Sequence, residues 1–494
     1  MAEDPRLRRL DRRGFVRIAS TSAGFAAVGG LTWLSGCARD DSLVGPDGEP
    51  LGARGGVPGP PGDGGGGGGG GGTTRNPLKI PATRSPSNLA LDAAPASVDL
   101  GGGASSQVWA YNGQFPGPTL EARTGDQVSI TLTNGLADET ITHWHGMIVD
   151  DQNDGHPRFA IPNGGRRDYA FEVRDRARLN WYHPHPHGRT GEQVAMGLAG
   201  AFIIRDSDDD AVMSAIGGRE LPLIIRDARF DKNDDIQYQA KRGGYEGNTP
   251  LVNGTIEAGF DADPAVYRLR ILNGSNARIY RLALDNGDAF TLIGNDGGFL
   301  SGAVTVSELT ISPAERLDVL VDLRGQQGNK VMLRDLNAGW DLLEFAVAAG
   351  TDAGSTSVTL PTLEALAGPV RTREFSFDGM SRINGRQFEM DRIDFEVPAG
   401  DVERWIFTTN GNAPHPVHVH LDPFQIQSRT GGRGQVFPWE AGWKDTVLLE
   451  DGETVEILVR FSADPGTSGD GIYLMHCHKL EHEDMGMMLN FRIV

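Results

Sequence analysis

Short segments in which apolar and polar residues alternate dominate the chain from about residue 77 onward. Clear cases are 127–132, 267–272 and 454–459, in which every second residue is apolar. A period of two over this length predicts half-buried β-strands. The connections between these segments are rich in glycine and proline, as in β-sandwich proteins. The pattern therefore predicts an all-β chain.

The spacing of motifs recurs along the chain, which indicates internal duplication. A Gly-Asp pair at 125–126 precedes a strand, and a His-x-His motif follows at 143–145. Gly-Asp at 400–401 is followed by His-x-His at 418–420 with the same offset of 18 residues. A unit between these two repeats the strand pattern but contains no histidine. We therefore predict three related β-sandwich domains. Their expected bounds are 77–210, 211–365 and 366–494.

Residues 1–37 resemble an export signal. Residues 11–17 resemble the twin-arginine motif, and a weakly apolar run rich in small residues ends in a sequence like a bacterial lipobox at Cys37. The run is too short and too weakly apolar to favour a membrane-spanning anchor. Residues 38–76 have the Gly/Pro-rich composition of a disordered linker. We expect export by the twin-arginine route to the periplasm or cell surface, with a lipid on Cys37 as the only membrane attachment.

The formal net charge of −20 disfavours partners that are themselves acidic. Nucleic acids and anionic membrane surfaces are therefore not expected to bind, whereas cations are. The chain has only two cysteines, Cys37 and Cys477. Because Cys37 belongs to the leader, no disulfide is expected in the folded body.

The histidines occur in tight clusters, as metal ligands do. None lies between residues 188 and 414. The twelve are His143, His145, His156, His183, His185, His187, His415, His418, His420, His476, His478 and His482.

The densest cluster surrounds Cys477, which lies between His476 and His478. His482 follows five residues after the cysteine, and Met487 ten residues after it. A thiolate, imidazoles and a thioether are the ligands of a blue-copper site. Neighbours on a strand point to opposite faces, so Cys477 would face one metal while its flanking histidines face another. The segment therefore predicts a junction between two metal sites.

The four His-x-His pairs and the Cys477 segment together resemble the three-domain multicopper oxidases, namely bacterial laccases, copper-efflux oxidases and spore-coat laccases. The resemblance covers residues 77–494. It implies cupredoxin-like Greek-key β-sandwiches and four copper ions per chain. Type 1 copper would be held by His415, Cys477, His482 and an axial Met487. Type 2 copper would be held by His143 and His418. The type 3 pair would be held by His145, His183, His185, His420, His476 and His478.

The same resemblance implies an oxidase that couples four one-electron oxidations of a reducing substrate to the reduction of O₂ to two waters. Electrons would enter at His415 and His482 and leave through Cys477. Asp154 and Glu483 match acidic residues near the type 2 and type 3 coppers, and we expect both to relay protons. The alternative for each is a solvated loop carboxylate. The expected donors are phenols and aromatic amines, and the chain is expected to be a monomer.

Several alternatives remain open at this point. Copper-efflux oxidases oxidise Cu(I), but their Met-rich insertion is missing, because residues 351–380 contain Met380 alone. A copper nitrite reductase would need fewer histidines than this chain has. A structural zinc site would need only about four ligands. A non-enzymatic relative would have lost the ligands, all of which are present here. His156 and His187 match no ligand position and are expected in loops or behind the ligands.

Overall fold

The alternating segments of the sequence form strands in six sheets, arranged as three β-sandwiches. The computed structural model describes residues 74–409, 414–462 and 469–494. The predicted signal and most of the predicted linker lie outside these residues. Within them, no helix has the length and apolar character needed to cross a membrane.

The first sandwich is built from the N-terminal third of the described chain. The elements of this part are β1 (Asn76–Pro77), β2 (Thr83–Arg84), β3 (Leu89–Asp99), β4 (Ser105–Tyr111), β5 (Thr119–Arg123), β6 (Gln127–Asn134), β7 (Thr142–His145), a 3₁₀ helix (Pro157–Phe159), β8 (Arg166–Glu172), β9 (Arg178–Pro184), α1 (Thr190–Met196) and β10 (Gly200–Arg205). The four-stranded sheet has the order β4-β3-β6-β8, and the five-stranded sheet the order β2-β5-β10-β9-β7. Side chains from both sheets, among them Leu91, Trp144 and Phe202, form one buried core.

The second sandwich has the largest core, which includes Leu269, Tyr280 and Phe345. Its elements are α2 (Ser207–Ile216), β11 (Glu220–Ala228), β12 (Thr249–Val252), β13 (Thr255–Ile256), β14 (Ala258–Ala262), β15 (Val266–Asn273), β16 (Tyr280–Leu284), β17 (Phe290–Asn295), β18 (Gly298–Val306), β19 (Leu309–Ile311), β20 (Arg316–Asp322), β21 (Lys330–Asp335) and β22 (Trp340–Val347). The sheet orders are β1-β14-β22-β21-β16-β19 and β13-β12-β11-β15-β20-β17-β18. Strand β1 pairs with β14, so the start of the described chain is joined to this sandwich.

The third sandwich packs Trp405, Val417 and Phe491 between two five-stranded sheets. The elements are β23 (Arg371–Asp378), β24 (Arg382–Ile383), β25 (Ile393–Val397), β26 (Val402–Thr409), β27 (His415–Val419), β28 (Phe424–Thr430), a 3₁₀ helix (Pro438–Glu440), β29 (Thr446–Leu449), β30 (Thr454–Arg460), β31 (Ile472–Cys477), α3 (Leu480–Asp484) and β32 (Met488–Ile493). The sheet orders are β24-β23-β26-β30-β28 and β25-β32-β31-β27-β29. The three sandwiches confirm the predicted all-β, cupredoxin-like fold class.

A buried ion network fixes helix α2 to the second sandwich. Asp209 on α2 accepts hydrogen bonds from Arg268 at 2.7 Å and from Arg270 at 2.5 Å. Glu220 also pairs with Arg270, at 2.6 Å. The side chains of Asp209 and both arginines are almost fully inaccessible. Removing one member of this network would leave a buried charge unpaired, which is costly. The loss of any one member should therefore lower the stability of the fold.

We predict that Asp209→Asn lowers the free energy of unfolding by about 3 kcal/mol, because two buried guanidinium groups lose their shared carboxylate. The neighbouring Asp210 provides a control, since its ion pair with Arg123 lies on the surface. Asp210→Asn should leave the unfolding midpoint nearly unchanged. Denaturant unfolding of the two variants at equal copper loading tests this prediction, and equal midpoints would contradict it.

Candidate metal centre

The His-x-His pairs lie on neighbouring strands, which brings their imidazoles side by side. In the first sandwich, β7 and β9 are antiparallel and His143 lies opposite His183. In the third, β27 and β31 are antiparallel and His418 lies opposite His476. Residues i and i+2 of a strand share a face, so each pair directs two imidazoles the same way. Both sandwiches direct these faces toward one shared, buried site.

Eight imidazoles converge at this site. Potential ligand atoms within 4.8 Å of one another form three sets of three histidines, two of which share His145. The sets are His143/His145/His418, His145/His183/His478 and His185/His420/His476. All eight side chains are buried. The structure therefore brings together every histidine that is expected at the type 2 and type 3 positions. Copper binding by these histidines stays a prediction.

The set of His185, His420 and His476 presents three Nε2 atoms to one point. The Nε2 atom of His476 lies 3.3 Å from that of His185 and 3.1 Å from that of His420. The Nδ1 atoms face carboxylates on the outside. That of His420 lies 2.7 Å from Asp154, and those of His185 and His476 lie 3.4 and 3.2 Å from Glu483. Carboxylates behind imidazoles fix the ring orientation that a metal ligand requires.

The set of His145, His183 and His478 is oriented by different groups. Nδ1 of His183 lies 2.9 Å from the carbonyl of Pro184, so its Nε2 is free. Nε2 of His145 lies 3.2 Å from a carboxylate oxygen of Asp445, so its Nδ1 is free. Neither ring nitrogen of His478 has a hydrogen-bond partner. One imidazole of this set would therefore bind a metal through Nδ1 rather than Nε2.

His143 and His418 are held in the same way as each other. Nδ1 of His143 donates to the main-chain carbonyl of Asp154 at 2.5 Å, and Nδ1 of His418 donates to that of Asp445 at 2.8 Å. Both Nε2 atoms are buried without a partner. This pair has the geometry expected of two ligands that share one metal.

The ring nitrogens that lack a hydrogen-bond partner indicate that this cluster can bind metal ions. A buried polar atom without a partner is costly, and here such atoms recur on imidazoles that face one another. Burial is the main cause that lowers the pKa of these imidazoles well below its ordinary value, so they are neutral and able to bind a metal. The affected residues are His143, His145, His183, His418, His420 and His478.

A second, separate donor set lies in the third sandwich and includes the thiol. Sγ of Cys477 lies 3.4 Å from Nδ1 of His415 and 3.7 Å from Nδ1 of His482. The main chain of Met487 accepts a hydrogen bond from the amide of Cys477 at 3.1 Å, and both side chains belong to one buried cluster. Burial raises the pKa of the Cys477 thiol to about 12, so a metal must displace its proton.

The alternation predicted around Cys477 is confirmed. Cys477 points into the core of its own sandwich, whereas His476 faces the imidazoles of the first sandwich. His415 and His482, the expected entry point of electrons, both have buried side chains. That electrons enter through them stays a prediction.

A cavity of about 370 Å³ lies where the three sandwiches meet, next to the segment that carries His482. Its walls include Tyr238 and Lys241 from the second sandwich and Glu481 and Met485, which flank His482 in sequence. The hydroxyl of Tyr238 donates to Glu481 at 3.3 Å. No pattern in the sequence predicts this cavity, because the segment around Tyr238 contains none of the ligands.

Asp154 and Glu483 are not solvated loop carboxylates. Their side chains are 0% and 1% exposed, and both contact imidazoles of the cluster. Burial, together with Asp151 and Asp150, raises the pKa of Asp154 well above its ordinary value. Burial alone would also raise the pKa of Glu483, but the His185 and His476 imidazoles outweigh it and hold that pKa low. The two carboxyl groups thus differ in their readiness to hold a proton.

The two histidines without a predicted metal role lie outside both donor sets. Nε2 of His156 lies 2.9 Å from the side-chain oxygen of Asn490, and its Nδ1 accepts from the amide of Arg158. His187 is exposed and packs against Phe388, with 5.2 Å between ring centroids. His156 therefore joins the first and third sandwiches by a hydrogen bond.

We predict that Cys477→Ser abolishes the blue absorbance and one metal site while leaving metal at the eight-histidine site, because only the second donor set uses the thiolate. Metal analysis and visible absorbance measure the two effects. Met485→Leu is the control, because Met485 flanks this set without belonging to the buried cluster. Retention of the blue absorbance in Cys477→Ser would show that the thiol is not a ligand.

Comparison with known proteins agrees with this geometry. Sequence profiles described as multicopper oxidase match residues 92–209, 233–338 and 355–494. The multicopper oxidase mco of Staphylococcus haemolyticus is 35% identical over 397 residues, covering 78% of this chain and 84% of the relative. A laccase of Bacillus subtilis is 28% identical, with 78% and 89% covered. The crystal structure of the McoA multicopper oxidase of Aquifex aeolicus superposes with a TM-score of 0.78 at 33% identity, covering 85% of this chain and all of that one. The chain therefore belongs to the multicopper oxidase family and is an oxidoreductase that uses O₂.

Proposed function

We propose that this protein is a laccase-like oxidase that holds four copper ions and couples the oxidation of phenols and aromatic amines to the reduction of O₂ to two waters. His415, Cys477 and His482, with Met487, would hold one copper. The eight-histidine site would hold the other three. The observation that carries the proposal is the placement of Cys477 in one donor set and of its covalent neighbour His476 in the other.

The bound coppers would supply one-electron transfer and the stepwise reduction of O₂, which side chains alone cannot perform. The protein supplies the path between the two sites, because Cys477 connects them through its own main chain to His476 and His478. It also excludes water, since all the potential ligand side chains are buried. Fixed ligands in a site without water would prevent side reactions at the metals.

Reduction of O₂ to water also consumes protons, and two buried carboxyl groups are placed to deliver them. Asp154 lies 2.7 Å from His420, and Glu483 lies 3.2 Å from His476. One oxygen of Asp154 has no hydrogen-bond partner in the structure. We assign proton transfer to these two groups because they are the acids in direct contact with the set of His185, His420 and His476.

The cavity beside His482 is the proposed binding site of the donor. Tyr238 provides an aromatic wall, and its hydrogen bond to Glu481 shows that a phenolic hydroxyl fits against this carboxylate. The cavity volume of about 370 Å³ suits a small aromatic ring. An electron from a donor bound in this cavity would pass to His482, which directly follows the lining residue Glu481 in the sequence.

Oxidation of Cu(I) is the second candidate function. Thioethers are the ligands that Cu(I) prefers, and Met485 lines the cavity beside His482. A single thioether makes a weak Cu(I) site, so we propose the aromatic donors as the main substrates. Turnover of a phenol and of Cu(I) by one copper-loaded preparation separates the two functions. Faster turnover of Cu(I) would overturn the proposed preference.

The leader supports a further proposal on location. Export by the twin-arginine route carries proteins in the folded state, which suits a chain whose metal sites need three assembled domains. We propose that the folded oxidase is exported and attached by a lipid on Cys37.

We predict that Glu483→Gln slows the reoxidation of the fully reduced enzyme by O₂ about 100-fold, because general acid catalysis is lost while the imidazoles stay in place. Stopped-flow mixing with O₂ measures this step separately from donor oxidation. Glu481→Gln is the control, because Glu481 bonds Tyr238 and Asn276 and no imidazole of the cluster. Normal reoxidation of a Glu483→Gln protein with all coppers bound would exclude the relay.

A further inference from the structure

Asp154 and Asp445 hold the histidine cluster in a reciprocal way. Each uses its main-chain carbonyl to orient an imidazole of its own sandwich, His143 for Asp154 and His418 for Asp445. Each uses its carboxylate to contact an imidazole of the opposite sandwich, His420 for Asp154 and His145 for Asp445. The two aspartates therefore lie at the interface between the first and third sandwiches, and each contacts imidazoles from both of them.

The surroundings of the two carboxylates differ. Among the described residues, Asp154 forms no ion pair with arginine or lysine, and its Oδ1 has no hydrogen-bond partner. Asp445 forms a two-point ion pair with Arg316, with Nη1 2.7 Å from Oδ1 and Nη2 on Oδ2. Its Oδ1 also accepts from the hydroxyl of Thr446 at 3.0 Å. The oxygens of Asp445 are thus held by a cation and a hydroxyl, whereas those of Asp154 face only imidazoles, with Oδ2 2.7 Å from His420 and Oδ1 3.5 Å from His143.

Arg316 is itself rigidly held, and it comes from the sandwich that provides no ligand. Its Nε donates to the carbonyl of Leu179 in the first sandwich at 3.0 Å, and its Nη2 donates to the carbonyl of Asp296 at 3.1 Å. The side chain is only 1% exposed. A planar guanidinium with five fixed donors fits a carboxylate in one orientation only.

A glycine makes room for this ion pair directly after His145. Gly146 has a φ of +88°, and a Cβ atom there would lie 2.8 Å from both Arg316 Nη2 and Asp445 Oδ2. Any larger residue would push the ion pair away from the histidine strand. The backbone at this position is therefore built to allow the close approach.

We propose that Asp445 is a positioning residue that Arg316 locks in place, and that it holds Nε2 of His145 so that Nδ1 faces the metals. The ligand-free second sandwich thereby takes part in the metal site through Arg316. This inference rests on the proposed copper binding at the eight-histidine site.

The test compares four variants of the full chain by their copper content, by the electron paramagnetic resonance and absorbance of the eight-histidine site, and by the rate of reoxidation by O₂. Asp445→Ala removes the carboxylate from His145, Asp445→Asn weakens it, and Asp154→Asn is the reference for the proposed proton relay. Asp296→Asn is the control, because this buried carboxylate bonds the amide of the same arginine at 2.7 Å and pairs with Lys444 at 2.8 Å, but contacts no imidazole of the described residues. Wild-type protein measured in parallel reports whether the cluster binds copper at all, which tests the proposed function separately.

We expect Asp445→Ala to lower the copper affinity of the eight-histidine site about 10- to 100-fold, as loss of a group behind a metal-binding histidine does. Asp445→Asn should retain copper with altered spectra, and Asp296→Asn should give the wild-type spectra even where its thermal stability falls. Full copper binding with wild-type spectra in Asp445→Ala would overturn the proposal. It would also be overturned if Asp445→Asn kept the wild-type spectra and slowed reoxidation by O₂ as strongly as Asp154→Asn does, since Asp445 would then be a proton relay.

Discussion

The structure depends on holding eight imidazoles, from two sandwiches, with their inner nitrogens facing one another in a buried site. Such an arrangement is costly without metal, because many buried nitrogens then lack a hydrogen-bond partner. The surrounding groups make it possible by binding the outer nitrogen of most rings. Main-chain carbonyls hold His143, His183 and His418, and carboxylates hold His145 and His420. The folds of the sandwiches place these carbonyl and carboxylate groups next to the imidazoles.

The site can be built only when all three sandwiches are assembled. The first and third supply imidazoles, and Arg316 of the second binds the carboxylate that orients His145. A chain of covalent bonds from Cys477 to His476 links the thiol-containing donor set to this cluster within one strand. If both sets hold copper as proposed, electron transfer between them would need only a correct domain arrangement.

Much of this could be predicted from the sequence, because strand geometry is local. Alternation alone predicts that Cys477 and His476 face different sites, and the recurring Gly-Asp and His-x-His spacing predicts the duplicated sandwiches. The role of Asp445 could not be predicted in this way, since its contacts depend on where Arg316 and His145 meet across domains. The full burial of His415 and His482 was also missed, because no local pattern shows what covers a side chain.

We propose that one chain holds a mononuclear copper site and a separate three-copper cluster. Anomalous scattering at the copper edge, from crystals of the copper-loaded protein, can locate each ion. We expect one peak between His415, Cys477 and His482 and three peaks among the eight histidines. A single peak, or an eight-histidine site without copper, would contradict it.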